Sequence, residues 1–283
     1  MYICKIIDKN FRMRSYEIVC FVIIWILVLC VPLKAQRWMS GADCQQMRHD
    51  MVAAGPFQTV SWMQAACGND YMLKELMRMR CDALLLWSRH AFMFQVSHNG
   101  YSKYGELTSS VAYSVKFGGK MAVGLRFHYI FQHVAHEEAQ HSVTFDVSLY
   151  AQVTRKLSFG FEVYNPARLK YGVRGKDLIP MRFRVVALYS YSEKLSFSLL
   201  LRKCLPGLFD VSAGCCYRPS DFFYLSLECS LYNANCGIML RCRRVYFKID
   251  ARYNYRLGFA LEVGVGVQLG LEKLGGRGSR DDG

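Results

Sequence analysis

Residues 141–153 read HSVTFDVSLYAQV, and apolar and polar side chains alternate along this stretch. In an extended chain, successive side chains point to opposite faces. Phe145 and Val147 therefore share one face, whereas Thr144 and Asp146 share the other. This period of two residues predicts a β-strand with one apolar and one polar face.

The same alternation recurs from about residue 79 to residue 271. Residues 156–164 (KLSFGFEVY) and 258–271 (GFALEVGVGVQLGL) repeat it, and residues typical of turns separate the segments. Each segment has roughly ten residues, the length that crosses a bilayer as a tilted strand. A dozen or so such segments in series, with no helical pattern between them, predict an all-β fold, a transmembrane antiparallel up-and-down β-barrel.

The N-terminal residues 1–36 have the features of a signal peptide. Residues 18–31 form an apolar run of 14 residues, and basic residues precede it. A helix that crosses a bilayer needs about 20 apolar residues, so this run fits the core of a signal peptide better. Cleavage is expected after Ala35 or Gln36, with Met1 or Met13 as the start. An uncleaved inner-membrane anchor is the alternative.

The remaining chain divides into a short periplasmic segment (37–57), a barrel (58–271) and a polar tail (272–283). We expect about fourteen strands, an even number as in bacterial outer-membrane barrels. Short turns alternate with longer gaps over the first half. The longer gaps are 68–78, 99–104, 133–140 and 165–180. This alternation indicates that the short turns are periplasmic and the longer loops external.

The polar faces of the strands carry many charges, which we predict to line the barrel lumen. Charges are costly toward lipid but tolerable in a hydrated barrel interior. Two interpretations remain open: a structural network of ion pairs, or a path for an anionic or amphipathic solute. The predicted lumen residues are Lys116, Arg126, His128, Asp146, Glu162, Arg182, Arg184, Arg202, Asp210, Glu228, Arg241, Lys248, Asp250, Arg252 and Glu262.

Motifs for catalysis, metals or cofactors are weak. His128, His133, His136 and His141 lie close in sequence, but a zincin needs two histidines four apart on a helix. We therefore expect no metal site and no cofactor. Twelve cysteines occur without a CxxC pair, which argues against zinc ribbons and redox sites. The sequence predicts no catalytic residues and hence a protein that is not an enzyme.

Several short stretches resemble one known family. They are YMLKEL (71–76), NGYSKYGEL (99–107), KMAVGL (120–125), TFDV (144–147) and LSFG (157–160) running into YNPAR (164–168). They are similar to PorV/PorQ-like outer-membrane proteins, FadL-like barrels that include type IX secretion components. The resemblance implies a 14-stranded FadL-type barrel in the outer membrane of a Gram-negative bacterium. FadL-like transporters begin with a plug, whereas only residues 37–57 precede the first predicted strand here, so we expect no plug.

The formal net charge of +14 is dispersed through strands and turns. A basic protein that binds nucleic acid concentrates its cations on one face, so we expect no nucleic-acid partner. Outer-membrane lipid and lipopolysaccharide are the expected partners, with secretion or surface proteins as further ones. The favoured function is a non-enzymatic envelope interaction or secretion-associated component. The alternative is a FadL-like or porin-like channel for small or hydrophobic solutes.

Overall fold

A computed structural model describes residues 51–136, 138–170, 179–207 and 209–269. The predicted signal peptide (1–36), most of the segment 37–57, and the tail 272–283 lie outside these residues. Among the described residues, no helix is long and apolar enough to cross a membrane.

Fourteen antiparallel strands form one closed barrel, in which each strand pairs with its sequence neighbours and β1 pairs with β14. The predicted fold class is therefore confirmed. The first strand was predicted at 58–67 and lies at Ser61–Asn69. The strands are β1 Ser61–Asn69, β2 Met77–Trp87, β3 His90–Gly100, β4 Tyr104–Phe117, β5 Met121–Val134, β6 Gln140–Gln152, β7 Leu157–Tyr164, β8 Met181–Ser190, β9 Leu195–Leu205, β10 Phe209–Ser220, β11 Phe223–Ser230, β12 Asn233–Cys242, β13 Val245–Asn254 and β14 Gly258–Leu269.

Burial follows the alternation of the sequence. On β5, Leu125, Phe127 and Tyr129 are exposed on the outer face, whereas Arg126 and His128 are buried on the inner face. The outer face is thus apolar and the inner face polar, the reverse of a water-soluble sheet. This distribution fits a barrel whose outside contacts lipid.

The connections define two rims. The short-turn rim holds the connections 88–89, 118–120, 153–156, 191–194, 221–222 and 243–244, together with the start of β1 and the end of β14. The loop rim holds the others, of which 165–180 is the longest. Asn165 fixes the base of that loop, because its Nδ2 donates to the carbonyl oxygens of Leu169 (3.3 Å) and Ile179 (2.6 Å).

The segment before β1 lies inside the barrel. Val52–Phe57 forms a 3₁₀ helix whose residues from Val52 to Pro56 are buried. This helix contacts β2, β3, β4, β5 and β6. The expectation of no plug is therefore wrong. The described part of the predicted periplasmic segment is packed into the lumen because its small apolar side chains fit between the inner faces of the strands.

Candidate functional site

The lumen near the short-turn rim is occupied by residues Met51–Gln58, which we call the plug segment. The backbone N–H of Ala53 donates to Ser148 Oγ on β6 at 3.1 Å. Phe57 packs against the ring of Tyr150, with centroids 4.9 Å apart. Lys116 Nζ lies 4.2 Å from the centroid of the Phe57 ring. These contacts hold the plug segment against β4 and β6.

Two wall glycines make room for the plug segment. A Cβ at Gly124 would lie 2.7 Å from Val52 Cγ1 and 2.8 Å from the backbone nitrogen of Ala53. A Cβ at Gly160 would lie 2.6 Å from Met51 Cε. Contacts this short are not tolerated, so any larger residue at Gly124 requires the plug segment to move.

Two apolar clusters surround the plug segment. The first joins Met51, Ala53 and Ala54 to residues of β6, β8 and β9, and the second joins Val52 to residues of β1 to β4. Their wall members are Tyr150, Val186, Leu188 and Leu200 in the first and Trp62, Leu84, Leu86, Ala91, Met93 and Ala112 in the second. Apolar side chains of the wall therefore pack against the plug segment on two sides.

A network of charged and polar side chains, the central network, occupies the inner faces of β4 to β8. Asp146 is fully buried and accepts from Arg126 Nε at 2.7 Å. Glu162 lies 3.7 Å from Arg126 Nη2 and 3.4 Å from Arg184 Nη2. Burial of these charges is tolerable because each cation faces at least one carboxylate. Its ion pairs join four strands through two carboxylates.

The central network also contains a serine, a histidine and an aspartate in a row. Ser110 Oγ lies 2.7 Å from His128 Nδ1, and His128 Nε2 lies 2.8 Å from Asp146 Oδ2. This order of groups occurs in nucleophilic hydrolases. Here the same carboxylate oxygen also accepts from Arg126. The arrangement therefore cross-links β4, β5 and β6.

Two further networks complete the charged inner wall. Arg202 Nη2 lies 3.1 Å from Asp210 and 3.5 Å from Glu228, joining β9, β10 and β11. Lys248 pairs with Asp250 on β13 at 2.7 Å. Arg202 and Lys248 are thus each paired with a carboxylate on the inner wall.

The structure does not bring all the predicted lumen residues into ion pairs. Arg182 lies over the ring of Tyr164, 4.1 Å from its centroid. Arg241 Nη2 donates to Gln268 Oε1 at 2.8 Å. Arg252 on β13 lies opposite Asn235 on β12. Glu262 on β14 lies beside Asp250 and Lys248 around a small cavity.

Sequence reasoning missed charged residues on β2 and β4. Arg80 Nε pairs with Asp82 Oδ2 at 2.9 Å, and Gln64 Nε2 on β1 donates to the same oxygen at 2.7 Å. On β4, Glu106 accepts from Gln132 Nε2 at 2.8 Å. Arg80 and Asp82 alternate with Met79 and Cys81, a pattern that places both charges on one face of the strand. The apolar run 83–87 that follows has no such alternation, so the inner face of β2 is not evident from the sequence.

The histidines that lie close in sequence are not gathered at one site. His128 is buried on the inner face of β5, whereas His141 on β6 contacts Tyr129 Oη at 2.6 Å on the outer face. His133 and His136 lie toward the loop rim. No group of three or more potential metal ligands occurs in the described part of the chain.

Comparison with known proteins identifies the fold. No protein-family model and no curated protein matches the chain. The chain is similar to the CymD monoaromatic hydrocarbon channel, with 8% identity and a TM-score of 0.63 over 82% of this chain and 95% of that one. The Pseudomonas putida toluene transporter TodX gives 7% identity and a TM-score of 0.60 over 81% and 94%. The Ralstonia pickettii toluene transporter TbuX gives 8% and 0.57 over 82% and 94%.

These likenesses show that the chain has the barrel fold of membrane channels. At such low identity they show the fold alone. The barrel that the family resemblance implied is therefore confirmed. Membership of the PorV/PorQ-like proteins and a role in secretion stay predictions.

Proposed function

We propose that this protein is an outer-membrane channel for small solutes that the plug segment holds closed. The observation that carries the proposal is a closed barrel whose lumen, at the short-turn rim, is filled by residues Met51–Gln58 of the same chain. The segment fills the lumen without being a strand of the wall. Its displacement would therefore open the lumen and leave the strand pairing intact.

The inner wall above the plug segment supports passage of solutes. Arg202 keeps 44% of its side chain exposed although it faces two carboxylates. Arg182 is also exposed on the inner face. Water therefore reaches part of the charged wall, in contrast to the apolar level beside Ala53 and Leu84. The passage is hydrated toward the loop rim and blocked toward the short-turn rim.

The fold likeness supports a channel better than the secretion-associated function. The similar structures are named as hydrocarbon channels and toluene transporters. Small solutes, with monoaromatic hydrocarbons among them, are therefore the first candidates to test. An outer-membrane location follows for this proposal because closed barrels of this kind span that membrane.

The wall glycines provide a sharp test of gating. Gly124→Ala places a methyl group 2.8 Å from the backbone of Ala53 and so displaces the plug segment. Gly214→Ala is the matched control. A Cβ at Gly214 would lie 2.7 Å from Ser198 Oγ, and a Cβ at Gly124 would lie 2.8 Å from Ser148 Oγ. Both substitutions therefore crowd a serine of the wall, but only Gly124→Ala also crowds the plug segment.

Conductance in planar bilayers and the swelling of liposomes in small sugars are measured for each variant. We expect Gly124→Ala, and deletion of Met51–Phe57, to raise both quantities several-fold, and Gly214→Ala to leave them at the wild-type level. The uptake of toluene into vesicles that contain the wild-type barrel or one of the variants is measured in parallel. If the deletion variant inserts as a folded barrel and still neither conducts nor admits solute, the channel proposal is wrong.

A further inference from the structure

The short-turn rim carries exposed cations in most of its connections. Five of its six turns contain at least one exposed lysine or arginine. The exposed cations are Arg89, Lys120, Arg155, Lys156, Lys194 and Arg243. The exposed acidic residues in the same connections are Glu193 and Asp221. The rim is therefore positively charged around most of its circumference.

Large apolar side chains stand next to these cations. Trp87 is 64% exposed at the end of β2, Phe117 57% at the end of β4, and Tyr191 61% after β8. Each lies on or beside the outer face and within three residues of a cation of the turn. Aromatic side chains at this level are typical of the membrane–water interface. The cations thus lie where lipid headgroups lie.

The described part of the loop rim has a smaller excess of exposed cations over acidic residues. Among its described residues, exposed cations are interspersed with acidic residues, and Asp70 forms an ion pair with Arg78 on β2. The exposed cations are Lys103, Arg168, Lys170 and Arg256, and the other acidic residues include Glu75 and Glu138. Among the described residues, the short-turn rim has six exposed cations and two exposed acidic residues, whereas the loop rim has four and two. The positive excess is therefore larger at the short-turn rim.

We propose that the short-turn rim binds the headgroups of anionic phospholipids. The phosphate pairs with the turn cations while the acyl chains contact Trp87, Phe117 and their neighbours on the outer face. Each cation close to an anionic membrane strengthens binding about five-fold. A free phosphate has no acyl chains, so it can pair with the turn cations but cannot contact the apolar side chains beside them. The inference rests on the membrane location that the proposed function includes.

The test compares two variants of the full-length barrel that lose equal charge. The short-turn variant combines Arg89→Gln, Lys120→Gln, Arg155→Gln and Arg243→Gln. The loop variant combines Lys103→Gln, Arg168→Gln, Lys170→Gln and Arg256→Gln. All eight positions are exposed, so both variants should fold. Two controls are measured for each variant. The first is the resistance of the unboiled barrel to dodecyl sulphate, which reports folding. The second is the conductance when each variant also carries Gly124→Ala.

Retention of phosphatidylglycerol by the detergent-purified barrel is measured by native mass spectrometry, with phosphatidylcholine, lipopolysaccharide and inorganic phosphate as separate probes. We expect the wild type and the loop variant to bind phosphatidylglycerol in preference to phosphatidylcholine, and the short-turn variant to bind it at least about ten-fold more weakly. Equal weakening in both variants overturns the proposal, since net charge alone would then account for binding. Loss confined to the loop variant, or equal binding of inorganic phosphate, also overturns it. Because conductance is scored separately, failure of lipid binding is distinguishable from failure of the channel.

Discussion

At the scale of single residues, the alternation of side chains decides which face each residue occupies. The sequence predicts Arg126 and Asp146 on the same inner wall because both lie on the polar face of their strands. That they contact one another at 2.7 Å depends on the register of β5 against β6, which pairs these two residues directly. Alternation fixes the face of a strand but not its shift along a neighbour. The alternation therefore predicts the face that Arg126 and Asp146 occupy, but it does not predict that they contact each other.

The outer and inner faces of β7 respond differently to substitution. Phe161 is 43% exposed on the outer face, and Glu162 beside it is buried between Arg126 and Arg184. Phe161→Arg places a charge toward lipid at a cost of about 2–4 kcal/mol near the bilayer midplane. Glu162→Gln keeps the shape of the side chain and an oxygen that can accept a hydrogen bond from Arg184. We expect far less folded barrel in membranes for Phe161→Arg than for Glu162→Gln, measured as the band that heating shifts on a gel. Equal assembly of the two variants would show that the register is wrong.

At the scale of elements, the strands were predictable and the plug segment was not. Each strand repeats the period of two over about ten residues, a long enough pattern to recognise. The plug segment contains VAAGPF (52–57), which is short and has neither a helical nor a strand period. Its place in the lumen depends on Gly124 and Gly160, which are far away in sequence. The contact is tertiary and leaves no local pattern.

The two rims can be assigned to the two sides of the membrane by insertion of epitopes. Ala139 lies in the connection 135–139 on the loop rim, and Gly118 and Gly119 lie at the short-turn rim with open space around them. If the short turns are periplasmic, an epitope after Ala139 is labelled on intact cells, whereas one between Gly118 and Gly119 is labelled only after permeabilisation. The opposite pattern would reverse the topology and place the plug segment at the cell surface.

At the scale of the whole molecule, closure of the barrel is the main source of robustness. The pairing of β1 with β14 leaves no unpaired strand edge, so backbone groups in the membrane are satisfied within the sheet. The even strand number was predictable because both ends of the barrel had to reach the same rim. The alternation of short turns and longer loops is predicted only for the first half of the barrel. The described connections 231–232 and 255–257 on the loop rim are as short as the turns opposite.

Closure also predicts how the protein behaves on a denaturing gel. The barrel unfolds only when many strand pairs break together, so dodecyl sulphate alone should leave it folded. We expect an unboiled sample of the purified protein to migrate faster than a boiled one, because the folded barrel is more compact. Identical mobility of the two samples, or recovery of the protein in the soluble fraction, would contradict the closed membrane barrel.

The plug segment ends only a few residues before β1, and this short covalent link makes it an intramolecular ligand. Thr59 and Val60 alone separate Gln58 from Ser61, and two extended residues reach only about 7 Å. Short links of this kind give an effective local concentration on the order of millimolar. A free peptide with the sequence of residues 51–58 must exceed that concentration to replace the tethered segment. Reclosure should therefore be rapid and independent of protein concentration, and the open state should be brief unless a solute occupies the vacated space.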